Sequence, residues 1–193
     1  MRPASILASL AILATACGCS GGGGGRDFMP LAIGSRWDYR VTTAEGESSF
    51  RRMLISGRAS EGVFRAAEGS DKSLWAWEDG FLSVQRRGER IYMLALPAVK
   101  GTSWWTVAPG GKRVWCKVEG TCRVRVPAGE FAGCVEVVME PVGGKTEIRH
   151  WFARGVGWVR YSYGPRGGRP WMVRELVSYR IRPPGPAPAV PQQ

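Results

Sequence analysis

From residue 27 onward, apolar side chains recur at every second position and not at the spacing of a helix. Trp37, Tyr39 and Val41 alternate with Asp38, Arg40 and Thr42. Val114, Cys116 and Val118 alternate with Trp115, Lys117 and Glu119. Cys122, Val124 and Val126 alternate with Arg123 and Arg125, and Val135, Val137 and Met139 with Glu136 and Val138. Late in the chain Trp171, Val173, Val177 and Tyr179 share one face. A period of two sets one face of each run on a core and the other in water, as in antiparallel strands. Turn signals separate the runs: Glu45-Gly46, Glu61-Gly62, Asp79-Gly80, Gly110-Gly111, Glu119-Gly120, Gly143-Gly144 and Gly164-Pro165. The pattern predicts a single all-β domain of about ten to twelve short strands. They wind as an antiparallel meander into a strongly curved sheet or an open barrel.

One spacing occurs twice. Pro30-x3-Gly34-x2-Trp37 recurs as Pro97-x3-Gly101-x2-Trp104. Pro fixes φ at the entry to a turn, Gly supplies a positive φ, and Trp is the first large inward side chain of the next strand. The two copies read as one turn device used twice; the remaining sequence adds little support for a duplicated half-domain. Nine Trp, six Phe and five Tyr are too many for a surface, so most must fill the concave side.

The two ends have another character. Residues 1–16 read as a signal peptide: a positive start at Arg2, a short apolar run from Ile6 to Ala14, then small residues before Cys17. Small side chains followed by Cys form a bacterial lipobox, which makes Cys17 the expected lipidation site, with Cys19 a poorer fit. Two or three acyl chains on one Cys anchor stably. The Ser20 to Gly25 run has no side chains to bury, so residues 17–26 read as a lipidated Cys on a slack tether. Residues 183–193 (PPGPAPAVPQQ) read as a disordered Pro-rich tail, which leaves 27–182 for the β domain. Gly18 is not the Asp that marks inner-membrane retention, so the expected location is the cell envelope, facing the periplasm or cell surface, with the outer membrane favoured.

Three stretches carry a resemblance. They are Phe28-Met29-Pro30-Leu31-Ala32-Ile33-Gly34-Ser35-Arg36-Trp37-Asp38-Tyr39, Val126-Pro127-Ala128-Gly129-Glu130-Phe131-Ala132-Gly133-Cys134, and Trp151-Phe152-Ala153-Arg154-Gly155-Val156-Gly157-Trp158-Val159. In this order they resemble the FPLxxGxxWxY, VPAGxFxxC and W(Y/F)AxGVGxV motifs of a poorly characterised family of bacterial lipoproteins and secreted proteins. The resemblance implies an antiparallel β domain in the envelope and brings no catalytic residues with it. The motifs also read as folding signals: Pro127 and Gly129 turn the chain, and Gly155 and Gly157 flank a bulge or tight bend before Trp158.

Candidate chemistry is sparse. Cys116, Cys122 and Cys134 lie in the domain. Cys116 and Cys122 flank the Glu119-Gly120 turn signal and share a phase, so they are the expected disulfide pair. Cys122 and Cys134, flanking the Pro127–Gly129 turn, are the alternative. The spacings of the three with His150 match no zinc motif. His150 is the single His and shares a strand face with Ile148 and Phe152, which points to packing; an envelope hydrolase acting through Cys134 or His150 is the catalytic alternative. No phosphate loop is present, and no cofactor or metal is expected. With 27 Lys and Arg against 16 Asp and Glu, the net charge is +11. Basic clusters at Arg51-Arg52, Arg86-Arg87 with Arg90, Lys112-Arg113, Arg123 with Arg125, and Arg166 with Arg169 suit a polyanion or a solvated face. Export puts nucleic acid out of reach and leaves anionic lipid or envelope polymer. The function expected is a non-catalytic binding or structural module, held to a membrane by its lipid anchor, for an amphiphilic ligand, such an anionic polymer or a protein partner.

Overall fold

The computed structural model describes residues 25–108 and 110–183. The signal peptide, Cys17, most of the tether and nearly all of the Pro-rich tail lie outside the described residues.

Twelve strands follow one another: β1 (Arg36–Thr43), β2 (Ser48–Ser60), β3 (Val63–Glu68), β4 (Asp71–Glu78), β5 (Phe81–Arg86), β6 (Glu89–Ala95), β7 (Ser103–Ala108), β8 (Lys112–Val126), β9 (Gly129–Pro141), β10 (Thr146–Ala153), β11 (Gly157–Pro165) and β12 (Met172–Arg180). They form one antiparallel sheet in the order β6-β5-β4-β3-β2-β1-β12-β11-β10-β9-β8-β7. Each strand pairs with its chain neighbour, and β1 pairs with β12 to join the two ends of the meander. The sheet curls until its free edges, β6 and β7, meet. Side chains bridge that seam where a backbone ladder would be. The Tyr92 amide donates to Thr106 Oγ1 at 2.8 Å, and Trp104 Nε1 donates to the Tyr92 carbonyl at 3.0 Å. Phe81 packs on Tyr92 and on Trp104. The result is a nearly closed barrel whose edges are covered against further pairing.

The repeated Pro-x3-Gly-x2-Trp spacing marks equivalent places. Gly34 and Gly101 have φ of 85° and 94°, a region Gly enters without steric cost. The Gly34 amide donates to the Ile55 carbonyl at 2.8 Å and the Gly101 amide to the Val118 carbonyl at 2.9 Å. Ile55 and Val118 return the bond, to the Ser35 and Thr102 carbonyls. Trp37 and Trp104 are both buried, and each indole donates to a backbone carbonyl. The same device therefore starts β1 and β7, the first strands of two six-stranded halves.

One end of the barrel is stoppered. The short 3₁₀ turn Arg26–Phe28 and Met29 fold into it, with Phe28 and Met29 buried. Trp77 Nε1 donates to the Met29 carbonyl, and the Gly155 amide donates to the Asp27 carbonyl. Arg154 holds the Asp27 carboxylate with two bonds of 2.8 and 2.9 Å and stacks on Phe28. Two of the motif stretches meet here: Trp37 Nε1 donates to the Val156 carbonyl at 2.6 Å, and Tyr39 Oη to the Trp158 carbonyl at 2.8 Å. Gly157 has φ of 105°, and a Cβ there would sit 3.0 Å from Met29 Sδ.

Two strand readings need correction. Glu119-Gly120 is no turn: β8 runs straight through it, and Gly120 forms a bulge between the Val118–Val137 and Gly120–Glu136 pairs. On β12 the buried residues are Arg174 and Leu176, while Trp171, just before the strand, and Tyr179 are exposed. The reading that grouped Trp171, Val173, Val177 and Tyr179 as a core face chose the wrong side.

Candidate functional site

Opposite the stopper the barrel encloses a cavity of about 420 Å³ lined by residues from all twelve strands. That volume falls in the range of small-molecule sites, roughly 300–1,000 Å³. Its walls differ. Ile91, Met93, Ala108, Val114, Met139 and Ile148 line it from β6 to β10 and carry no charge. Arg51 of β2, Glu68 of β3, Arg86 of β5 and Arg174 of β12 line the facing wall. The lumen is amphipathic, and among the described lining residues Glu68 is its one acid against three arginines.

Arg174 anchors the charged wall. Its side chain is 10 % exposed, and its guanidinium grips the Glu68 carboxylate through contacts of 3.0–3.1 Å. The guanidinium carbon lies 3.8 Å from the centroid of the Tyr39 ring and 4.8 Å from that of Trp158. Contact with two aromatic rings restrains a planar cation and offsets part of its desolvation. Arg86 reaches Glu68 at 3.9 Å. Glu68 is the last residue of β3, beside a turn at Gly69.

His150 faces the same lumen. It is buried, with ring centroids of Trp158 and Tyr161 each 5.2 Å away. Burial, aided by the Arg174 charge, lowers its pKa from 6.5 to about 3, so the ring is neutral at physiological pH. His150 Nδ1, Trp158 Nε1 and the Nε atoms of Arg86 and Arg174 find no hydrogen-bond partner among the described residues. All four belong to residues that line the cavity. A buried polar atom without a partner costs about 1–3 kcal/mol, so this cluster is an incomplete hydrogen-bond set in the wall of the lumen.

The cysteines sit elsewhere. Cys116 and Cys122 lie six positions apart on the continuous strand β8, a span of about 20 Å. A disulfide needs Cα atoms within about 7 Å, so this expected pair cannot form. Cys122 is instead the direct register partner of Cys134, and Cys116 that of Met139. All three thiols are free. Burial pushes Cys134 up to about 11, with Cys122 adding to the shift, and burial pushes Cys116 up to about 12. The Cys134 thiol donates to the Phe131 carbonyl. Cys134 and His150 therefore do not meet as a nucleophile and its base: the thiol faces Cys122, and the imidazole faces the aromatic lumen. Among the described residues no three His, Cys, Asp or Glu side chains converge on a metal-sized site.

The turn residues fall where the chain changes course. Pro30 and Gly34 precede β1, and Pro97 and Gly101 precede β7. Pro127 and Gly129 make the β8–β9 hairpin, whose Ala128 amide donates to the Leu176 carbonyl of β12. Gly155 and Gly157 make the β10–β11 turn. The basic clusters divide. Arg51 and Arg86 line the lumen. Arg52, Arg90, Arg123, Arg125 and Arg166 pair with Asp38, Glu78, Glu130, Glu130 and Glu140.

No family model and no curated protein matches the chain. Solved structures do. A candidate exported protein of Bacteroides fragilis with a YmcC-like fold superposes with a TM-score of 0.52 at 15% identity, covering 79% of this chain and 98% of that one. A candidate lipoprotein of Parabacteroides distasonis superposes with a TM-score of 0.49 at 12% identity, over 79% of this chain and 98% of that one. The first likeness extends the fold to a YmcC-like barrel.

Proposed function

We propose that this protein is a non-catalytic binding module of the bacterial cell envelope, tethered through Cys17, whose lumen takes up a small amphiphile. The observation that carries this reading is the division of the cavity into an apolar wall from β6 to β10 and a charged wall from β2, β3, β5 and β12. Such a site solvates both ends of an amphiphile, while an apolar core would reject the head and a wet groove the chain. The lipobox, the Gly-rich run and the three motif stretches support an exported, lipid-anchored protein, as does the name of the Bacteroides fragilis structure. A polymer-binding reading has less support, because five of the clustered arginines of the outer wall are ion-paired. A hydrolase reading has less still, since burial keeps the Cys134 thiol protonated and makes His150 a weak base, and the register sets His150 against Val137 and not Cys134.

Native mass spectrometry of the protein expressed with its leader and purified from membranes in mild detergent tests the reading. The expected spectrum has the mass of an acylated chain with one small organic molecule retained in part of the population. A bare, unacylated chain that also fails to take up added dodecanoate would overturn it.

A further inference from the structure

The charged wall holds a clue to the ligand's polar end. Arg174 cannot swing freely, because its guanidinium packs over the Tyr39 ring and against Trp158. Glu68 has more freedom, as the last residue of its strand beside the Gly69 turn. Glu68 also falls short as a counter-ion. Its carboxylate meets Arg174 and reaches Arg86, yet Nε of both arginines and the Trp158 indole N–H remain unpartnered among the described residues. With Arg51 included, the wall carries three cations to one anion. A lumen wall with surplus positive charge around the buried Arg174 suits a second anion.

From this geometry we infer that Glu68 holds, on Arg174, the seat that a ligand's anionic headgroup takes. The ligand is a single-chain amphiphile ending in a carboxylate or phosphate. Its head takes the fixed fork of Arg174, its chain lies along Met93, Val114 and Met139, and the displaced Glu68 turns toward Arg86 and the mouth. Glu68 is thus a built-in competitor. It keeps Arg174 from being a buried unpaired charge when no anion is bound, and it lowers the affinity for the anion by the cost of its own displacement. An uncharged amphiphile has no use for that exchange. The inference rests on the reading of the lumen as an amphiphile site, and its test separates the two.

The probes are dodecanoate, dodecyl phosphate and dodecanol, titrated against wild type, Glu68→Gln and Arg86→Gln with intrinsic Trp fluorescence, since Trp75 and Trp158 line the cavity. Glu68→Gln is expected to bind the anions about tenfold more tightly than wild type, with dodecanol unchanged. Arg86→Gln is expected to bind the anions several-fold more weakly. Which anion binds best distinguishes a carboxylate from a phosphate source. Anion affinity in Glu68→Gln equal to or below that of wild type would overturn the inference while leaving the lumen reading intact. No saturable binding of any of the three by wild type would overturn the lumen reading itself. Should Glu68→Gln fail to fold, a crystal structure of wild type with dodecanoate decides: the carboxylate on Arg174 with Glu68 displaced is expected, and Glu68 still on Arg174 with the chain in the lumen contradicts the inference.

Discussion

Arg174 and Glu68 stand 106 positions apart in the chain and form a two-pronged ion pair inside the barrel, with side chains only 10 % and 14 % exposed. A pair in this setting is worth little against a hydrophobic replacement of both partners, but removing Arg174 leaves the partly buried Glu68 with only the more distant Arg86. Arg174→Met is therefore expected to cost about 3–5 kcal/mol, lowering Tm by roughly 10 °C in a domain of this size. Arg174→Met combined with Glu68→Leu is expected to recover most of that loss. Thermal melts of the single and double variants check this; equal destabilisation by both would show that the pair is not the source.

His150 makes stability depend on pH in a window of its own. Its pKa is about 3 in the folded chain against 6.5 ordinarily. Between those values the unfolded chain takes up a proton that the folded chain refuses, so stability falls as pH drops through the window, by about 1.4 kcal/mol per unit. The groups facing the ring are the Arg174 guanidinium, which adds to the shift, and the rings of Phe152, Trp158 and Tyr161. Asp38 and Glu147, whose pKa values are lowered from 3.8 and 4.5, release their stabilisation only at lower pH. Denaturant unfolding at pH 6.5 and pH 5 isolates the His150 contribution. A loss of about 1.6 kcal/mol is expected in wild type and almost none in His150→Leu.

Gly157 allows the stopper to seat. Its φ of 105° is costly for any residue with a Cβ, and Met29 Sδ and Trp37 Nε1 would lie 3.0 and 3.2 Å from that atom. Gly157→Ala is expected to lower Tm by roughly 5–10 °C. Gly62, with φ of 68° and open space around it, provides the control. Its alanine variant bears the backbone strain alone, and a loss as large as that of Gly157→Ala would rule out the packing explanation.

The register of β8 and β9 sets Cys122 against Cys134 and leaves Cys116 without a thiol partner. Incubation of the folded protein in a glutathione redox buffer is expected to join Cys122 to Cys134 and leave Cys116 free. In that exchange the Cys122 thiolate attacks glutathione disulfide and releases one glutathione. Cys134 then displaces the second, so that one disulfide is consumed and one formed. Peptide mapping without reduction reads the outcome. Cys122 and Cys134 both recovered as alkylated thiols would contradict the expectation.

The barrel was legible in the sequence because its signals are local. Alternation at Val114, Cys116 and Val118 reports a face, and Gly-containing dipeptides report reversals, without knowledge of any partner strand. The site was not legible because it is made of long-range pairings. Period-two reading assigns Arg174 to the solvent side, and only Glu68, on a strand more than a hundred residues earlier, reverses that assignment. Glu119-Gly120 failed as a turn for the same reason: the dipeptide is compatible with a bulge, and the ladder with β9 that continues past it selects the bulge. His150 was placed on the correct face, with Ile148 and Phe152, but its neighbours on β11 and β12 could not be seen. The three motif stretches read as folding signals. Two of them are the opposite sides of the stopper, joined by the Trp37–Val156 and Tyr39–Trp158 hydrogen bonds.

Filling the lumen tests the function of the barrel more directly than any change to its charges. Met139 is buried on the apolar wall, and Met139→Trp extends into the cavity without touching the ion pair. Isothermal titration with dodecanoate should give saturable one-to-one binding in wild type and none in a folded Met139→Trp. Equal binding by both proteins, or no saturable binding by wild type, would contradict a ligand-holding lumen.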